Sequence, residues 1–261
     1  MKISEFAKIT GIKRANLIFY DKIGLLSPEH RGENDYRYYM HHQLGSAYLI
    51  SDLRGIGVSI EDIKQYADKR TPEKMIQLFS EKEKDIEKEI AKLRKIQGAM
   101  QLYVELVQEA IEDDIEDIVI KELPEKEIFT GPLLDTETAR NYNKAGFDFY
   151  NFISKQNMGL HYPFGLIVSK GSLLQNDYTN IMQCYFSVPN QGNGIRPAGR
   201  YVIGYMYGSY EQASPLYSKL LRYIKANNLV ICGNAYEEYP FNEITTENDK
   251  EYLIRIMIEI K

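Results

Sequence analysis

An α+β chain in three parts is what the sequence predicts, and three observations predict it. Over the first 70 residues apolar positions fall into short helical patterns broken by glycine and proline. A spacing of four and three then persists over about 38 residues, and beyond residue 112 the period drops toward two. At 261 residues the chain is long for a single core. The expected division is 1–70 as a winged helix-turn-helix, 71–112 as a long pairing helix and 113–261 as a mixed helix and sheet domain.

Ser4 and Glu5 ahead of Phe6, Ala7 and Ile9 read as a capped helix that stops at Gly11, since glycine adopts the left-handed conformation that ends helices. A second helix, about 13–23, carries Leu17, Ile18, Phe19 and Ile23 and halts at Gly24, which completes a helix-turn-helix outline. After Pro28, the run Tyr36-Arg37-Tyr38-Tyr39 suits a small hairpin or wing, with Tyr36 its expected core member. Short helices are expected over about 42–55 and 59–67, the second opening on Ser59 and Asp62 in a capping pattern.

Thr71-Pro72-Glu73 starts the long helix, because proline is welcome in a first turn and an acid there complements the helix dipole. Phe79, Glu83, Ile86, Ile90, Leu93, Gln97, Met100, Val104, Val107 and Ile111 follow as a heptad seam. At 1.5 Å per residue about 38 residues run about 57 Å, too far to hide on one domain. The helix therefore wants a partner, and a coiled-coil dimer is expected.

The last part reads as a repeat. Strand 118–123, helix 136–154 and strands 164–169 and 181–188 are followed, after a loop over 189–199, by strand 200–207, helix 211–227 and strands 231–239 and 252–260. Each half is βαββ. Two such halves packed pseudo-symmetrically, helices on one face, make a single domain with a groove on the other face.

Net charge is −5 but unevenly spread: residues 1–70 hold 11 Lys/Arg against 9 Asp/Glu, and residues 112–261 hold 14 against 20. Only the front can tolerate DNA. Cys184 and Cys232 lie far apart, so neither a disulfide framework nor a thiolate metal cluster is suggested, and no metal or cofactor is expected. His161 is the one histidine beyond residue 42, which starves any imidazole-based catalysis. Without an apolar run of membrane length or a signal sequence, the chain reads as cytoplasmic with no membrane partner. Tyrosine is abundant, 21 residues with no Trp.

Glu5 to Ile12 (E-F-A-K-I-T-G-I), Leu17, Tyr20-Asp21, Gly24-Leu25-Leu26-Ser27-Pro28, Tyr36-Arg37-Tyr38-Tyr39, Leu53, Gly57 and Ile60-Glu61-Asp62-Ile63 resemble the winged helix-turn-helix of the MerR transcriptional regulators. In such a motif the second helix enters the major groove, where Lys13, Arg14 and Asn16 can reach bases or phosphates, with Tyr20 beside them; Arg37, Tyr38, Tyr39 and Arg54 offer phosphate contacts. The chain departs from the family in having Ile18-Phe19-Tyr20 for Arg-Tyr-Tyr and Asp35 for a wing glycine. The resemblance implies a homodimer on a pseudo-palindromic promoter, acting on RNA polymerase by bending and untwisting the DNA, and hence an activator.

Residues 113–261 resemble the GyrI-like effector domain of the BmrR-type multidrug-sensing branch, through G-S-Y-E at 208–211, L-x-x-Y-I-x-x-N-x-L at 220–229 and G-x-A-x-E-x-Y at 233–239. The resemblance implies that Glu237 compensates the charge of hydrophobic, cationic compounds in an aromatic pocket. Alternation places Ala235, Glu237 and Tyr239 on one face, with Tyr201, Tyr205 and Tyr207 on a neighbouring strand and Gln183, Tyr185 and Ser187 on another. Tyr239, Tyr205, Tyr207, Tyr185 and, from the first helix, Tyr142 are the expected aromatic walls of the groove. Glu238 is expected to be solvated, and Glu259 is a second acidic candidate. Two other readings stay open. One is an architectural DNA-binding regulator with a protein-binding C-terminal domain. The other is a small-molecule hydrolase, although the chain lacks a G-x-S-x-G elbow, an H-E-x-x-H helix and a P-loop.

Overall fold

A computed structural model describes residues 1–156 and 162–261, so His161 lies outside the described residues. The chain divides into two compact units, Met1–Lys92 and Leu93–Lys261, and the division falls inside one long helix.

The first unit begins with α1 (Ile3–Thr10) and α2 (Arg14–Lys22). Gly11 ends α1 at φ 71°, and Gly24 follows α2 at φ 74°, left-handed positions that a side chain would strain. A two-stranded wing pairs β1 (His30–Arg31) with β2 (Arg37–Tyr38), His30 facing Tyr38 in register. Next come α3 (Gln43–Gly55) and α4 (Ile60–Asp68), the latter capped as expected by Ser59, whose hydroxyl accepts from the Asp62 amide at 3.0 Å. The core gathers Phe6, Leu17, Tyr20, Tyr39, Ile50, Leu53 and Ile63. Tyr36, expected inside, is 54% exposed, while Tyr39 is fully buried with its ring stacked on Phe6 at 4.4 Å. The wing register gives the space behind α1 to Tyr39 and turns Tyr36 outward.

Helix α5 (Pro72–Glu112) is continuous over 41 residues. In the second unit its Ala99, Leu102, Leu106 and Ala110 are buried, whereas Leu93, Met100, Val104 and Ile111 of the seam are exposed. A helix that buries one stripe on its own domain and leaves a second apolar stripe bare is amphipathic twice over.

Beyond α5 the chain forms β3 (Val119–Leu123), β4 (Lys126–Thr130), α6 (Tyr142–Lys155), β5 (Phe164–Val168), α7 (Lys170–Leu174), β6 (Ile181–Ser187), β7 (Gly194–Arg196), β8 (Gly199–Tyr207), α8 (Ser214–Ala226), β9 (Ile231–Phe241) and β10 (Leu253–Ile260). The strands lie in one antiparallel sheet ordered β3-β8-β10-β9-β5-β6-β4-β7. The repeat is visible in that order: β4-α6-β5-β6 and β8-α8-β9-β10 meet along β5 and β9, with Leu166 opposite Glu237. The opening strand of the first repeat is Lys126–Thr130 rather than 118–123. Strand β3 instead pairs with β8, at the edge of the second repeat. Pro124 and Glu125 break the run, and only the stretch after them pairs with β6.

Helices α6 and α8 cover one face of the sheet, and the end of α5 packs on part of the other. Under α6 and α8 lie Leu166, Cys184, Phe186, Val202, Ala235, Ile256 and Tyr239. On the other face Tyr185, Tyr201, Tyr205 and Tyr236 are buried with Ile128, Ile167, Met257 and Ala110 of α5. The tyrosines expected to line an open groove on that side form a core instead, and the cavity of about 490 Å³ beside them is lined by charged residues, Glu109, Lys126, Arg196, Glu238 and Arg255 among them.

Candidate functional site

In the first unit, Lys13 precedes α2 as its N-cap, and Lys13, Arg14 and Asn16 are exposed at the start of that helix. The buried face of α2 consists of Leu17 and Tyr20, which holds the three polar residues away from the core. Tyr20 and Tyr39, expected at DNA, are core residues instead. Arg37 is half-buried, its Nε donating to Asp21 at 2.6 Å. Tyr38 stacks flat on His30 at 4.8 Å, and Arg54 donates to the Val58 carbonyl at 2.7 Å, closing the end of α3. Asp35 adopts φ 60°, the conformation for which glycine is usual, and the Arg31 guanidinium 2.7 Å away answers its charge.

In the second unit, Glu237 is buried at 3% exposure on the helix-covered face of β9. Strand alternation puts Tyr239 on the same face, and its hydroxyl donates to Glu237 Oε1 at 2.5 Å. Among the described residues Glu237 makes no salt bridge. Burial pushes its carboxyl up to about 7, with the hydroxyls of Tyr239 and Tyr217 pulling the other way.

Glu237 reaches a cavity of about 420 Å³ between the sheet and helices α6 and α8, walled by Tyr142, Tyr178, Tyr210, Tyr217 and Leu166. A neighbouring cavity of about 350 Å³ shares Tyr142, Asn143 and Tyr210 and adds Tyr103, Phe164, Tyr239 and Glu243. The shared wall is aromatic: Tyr142 stacks on Tyr210 at 5.4 Å and meets Tyr239 edge-on at 6.1 Å, and Tyr210 meets Tyr239 edge-on at 4.7 Å. Flat π faces with a buried carboxylate behind them offer a delocalised cation dispersion, cation–π attraction and counter-charge together, and Glu211 and Glu243 add acid to the walls of the two cavities. At the mouth, Arg140 is held by Asp177 at 2.7 and 3.0 Å, so it does not neutralise Glu237.

Three expected residues line the two cavities: Glu237 the first, Tyr239 the second and Tyr142 both. Tyr185 and Tyr205 project to the opposite face, and Tyr207 is half-exposed beside Phe241. Glu238, expected in solvent, is buried at 3% and bonded to Arg255. Glu259 packs against Gly233, also away from the cavity. Tyr210, Tyr217, Tyr178 and Tyr103 join the walls without any signal in the sequence that separates them from other tyrosines. Tyr210 lies in the G-S-Y-E motif, but a tyrosine on a helix or turn carries no periodic mark that tells a pocket from a core. Among the described residues no group of three His, Cys, Asp or Glu side chains is placed to hold a metal, and no helix is long and apolar enough to cross a membrane.

Residues 1–70 match the family described as MerR HTH family regulatory protein. Over 261 residues, 98% of this chain and 95% of the relative, the chain is 30% identical to the multidrug-efflux transporter 2 regulator of Bacillus subtilis (strain 168). It is 25% identical to the multidrug-efflux transporter 1 regulator of the same organism, covering 99% of this chain and 97% of that one. A solved EcmrR–DNA complex aligns over 100% of this chain and 99% of the other, at 22% identity and a TM-score of 0.43.

Proposed function

Because the chain belongs to the MerR family of transcriptional regulators, we propose that it binds promoter DNA through the start of α2 and the wing, pairs with a second copy along α5, and responds to hydrophobic cations bound at Glu237. The observation that carries the ligand class is a buried carboxylate with no salt bridge among the described residues, in an aromatic cavity. Isolated buried charge is costly, and a cation bringing apolar area of its own relieves that cost where water cannot.

Support for the DNA role comes from Lys13, Arg14 and Asn16, exposed together at the N-terminal end of the recognition helix. Arg37 and Tyr38 complete the interface as phosphate contacts from the wing. Support for pairing comes from the bare seam of α5, where Phe79, Ile86, Ile90, Leu93, Met100, Val104 and Ile111 are exposed. Activation by distorting an operator between two bound half-sites, with RNA polymerase at the same promoter, is the mode of action this arrangement favours. The hydrolase reading gains nothing from the relatives, which are named as regulators. Residues 1–70 thus serve DNA, 71–112 serve pairing and 113–261 serve the ligand.

Calorimetric titration with tetraphenylphosphonium and with neutral triphenylphosphine oxide tests the ligand class. The cation is expected to bind markedly more tightly, and Glu237→Gln to remove the difference. Equal binding of both compounds, unaffected by the substitution, would sink the assignment.

A further inference from the structure

Strand β9 carries two buried carboxylates in succession, and side chains alternate across a strand, so they serve opposite faces. Glu237 opens to the cavity under α6 and α8. Glu238 faces the layer where the end of α5 packs. There it accepts from the Tyr185 hydroxyl at 3.0 Å and pairs with the buried Arg255, whose other terminal nitrogen reaches Glu109 of α5 at 2.5 Å. The residue just past α5 is tied as well: Asp113 accepts from Tyr205 at 2.6 Å and pairs with Lys121. Two tyrosines expected to touch ligand, Tyr185 and Tyr205, thus tie the sheet to the end of α5.

We infer that Glu109, Arg255 and Glu238 are positioning residues that carry ligand occupancy from the cavity on one face of β9 to the long helix on the other. The inference rests on Glu237 being the ligand's counter-charge. The two are consecutive on one strand and face opposite ways, so a cation that shifts the backbone at Glu237 shifts the root of Glu238 with it. Behind Glu238 the packing is tight, whereas on the α5 side Glu238, Arg255 and Glu109 line a cavity of about 490 Å³ that leaves their pairing room to part. A Cβ on Gly165, opposite Glu238, would lie 2.5 Å from the Tyr185 ring and 2.7 Å from the Glu237 carbonyl oxygen, so ring and backbone already meet there. Arg255 is buried and must stay paired, while the Glu109 side chain is 54% exposed and has water as an alternative. The Glu109 pairing therefore has two arrangements, made and released, and a ligand that favours one biases the helix.

The test uses the full chain, wild type against Glu109→Gln and Glu109→Asp, with tetraphenylphosphonium as probe. Calorimetry reads affinity, and hydrogen exchange reads β9 and residues 106–112 with and without the cation. In the wild type both segments are expected to change protection on binding. In Glu109→Gln the affinity and the β9 response are expected to persist while the response of 106–112 is lost, and Glu109→Asp is expected to restore part of it. A Glu109→Gln protein whose residues 106–112 respond as in the wild type would leave Glu109 a passive anchor and overturn the coupling. Absence of cation binding by the wild type would overturn the ligand reading, and the coupling with it, which separates the two failures.

Discussion

The Tyr239 hydroxyl lies 2.5 Å from the carboxylate of Glu237, two residues away along β9 and on the same face. A hydroxyl in that position donates to the charged carboxylate and favours ionisation. Replacing Tyr239 by Phe should leave the cavity shape nearly intact but remove the donor. A lost bond to a charged acceptor is worth about 1.5 kcal/mol, or about tenfold in affinity for tetraphenylphosphonium at neutral pH. Neutral triphenylphosphine oxide should bind the variant as it binds the wild type; an equal loss for both compounds would make Tyr239 a shape determinant instead.

Binding of the cation should depend on pH. The Glu237 carboxyl titrates at about 7, so below that value the cation must displace a proton, and affinity is expected to fall about tenfold per pH unit. Above it the affinity levels off. Calorimetry across a pH series checks this, and the neutral analogue should show no such slope.

Stability carries the opposite sign. The native carboxyl holds its proton up to about 7 against an ordinary 4.5, so between those values the native state binds more protons than the unfolded one. Stability is then lost as pH rises through that window and is flat beyond it. Glu237→Gln should remove this slope and make the ligand-free protein more resistant to urea at neutral pH. A melting profile with the same pH slope in both proteins would contradict the account.

On the DNA side, Arg14→Ala should cost about 1–3 kcal/mol of operator binding and relax sequence preference. Tyr39 behaves as core: Tyr39→Ala should cost about 3–5 kcal/mol of folding stability. Tyr39→Phe should cost little, since among the described residues that hydroxyl has no hydrogen-bond partner. Thermal unfolding beside electrophoretic mobility shifts separates the two kinds of loss.

Pairing along α5 is open to a direct check. Leu93→Glu with Met100→Glu places acids in the exposed seam and should give a monomer in sedimentation velocity, whereas a fragment ending after Ile111 should still dimerise at micromolar concentration. A monomeric fragment would count against the seam.

Much of this architecture is legible in the sequence because it rests on local signals. Gly11, Gly24 and the Ser59 cap end or start their helices by rules that need no tertiary knowledge. The period change after residue 112 marks the sheet, and the βαββ order points to which strands neighbour each other. Faces are harder. Alternation along one strand tells that Glu237 and Tyr239 share a side, but relating them to Tyr185 and Tyr205 needs the cross-strand register, in which Glu237 stands beside Leu166 and Ile256, and Arg255 beside Tyr205. Glu238 is unreadable for the same reason: its partner Arg255 is 17 residues on. Strand β3 is assigned to the wrong repeat from sequence because the break at Pro124 frees the chain to change edges, and the edge it joins, β8, begins some 75 residues further along, at Gly199.

Gly165 stands in the middle of the sheet, where a side chain would run into the Tyr185 ring and the Glu237 carbonyl oxygen. Any larger residue there would have to push strands apart, so its cost would be felt by the whole domain and not by one face alone. The closeness of β5, β6 and β9 at that point therefore rests on one residue having no side chain at all.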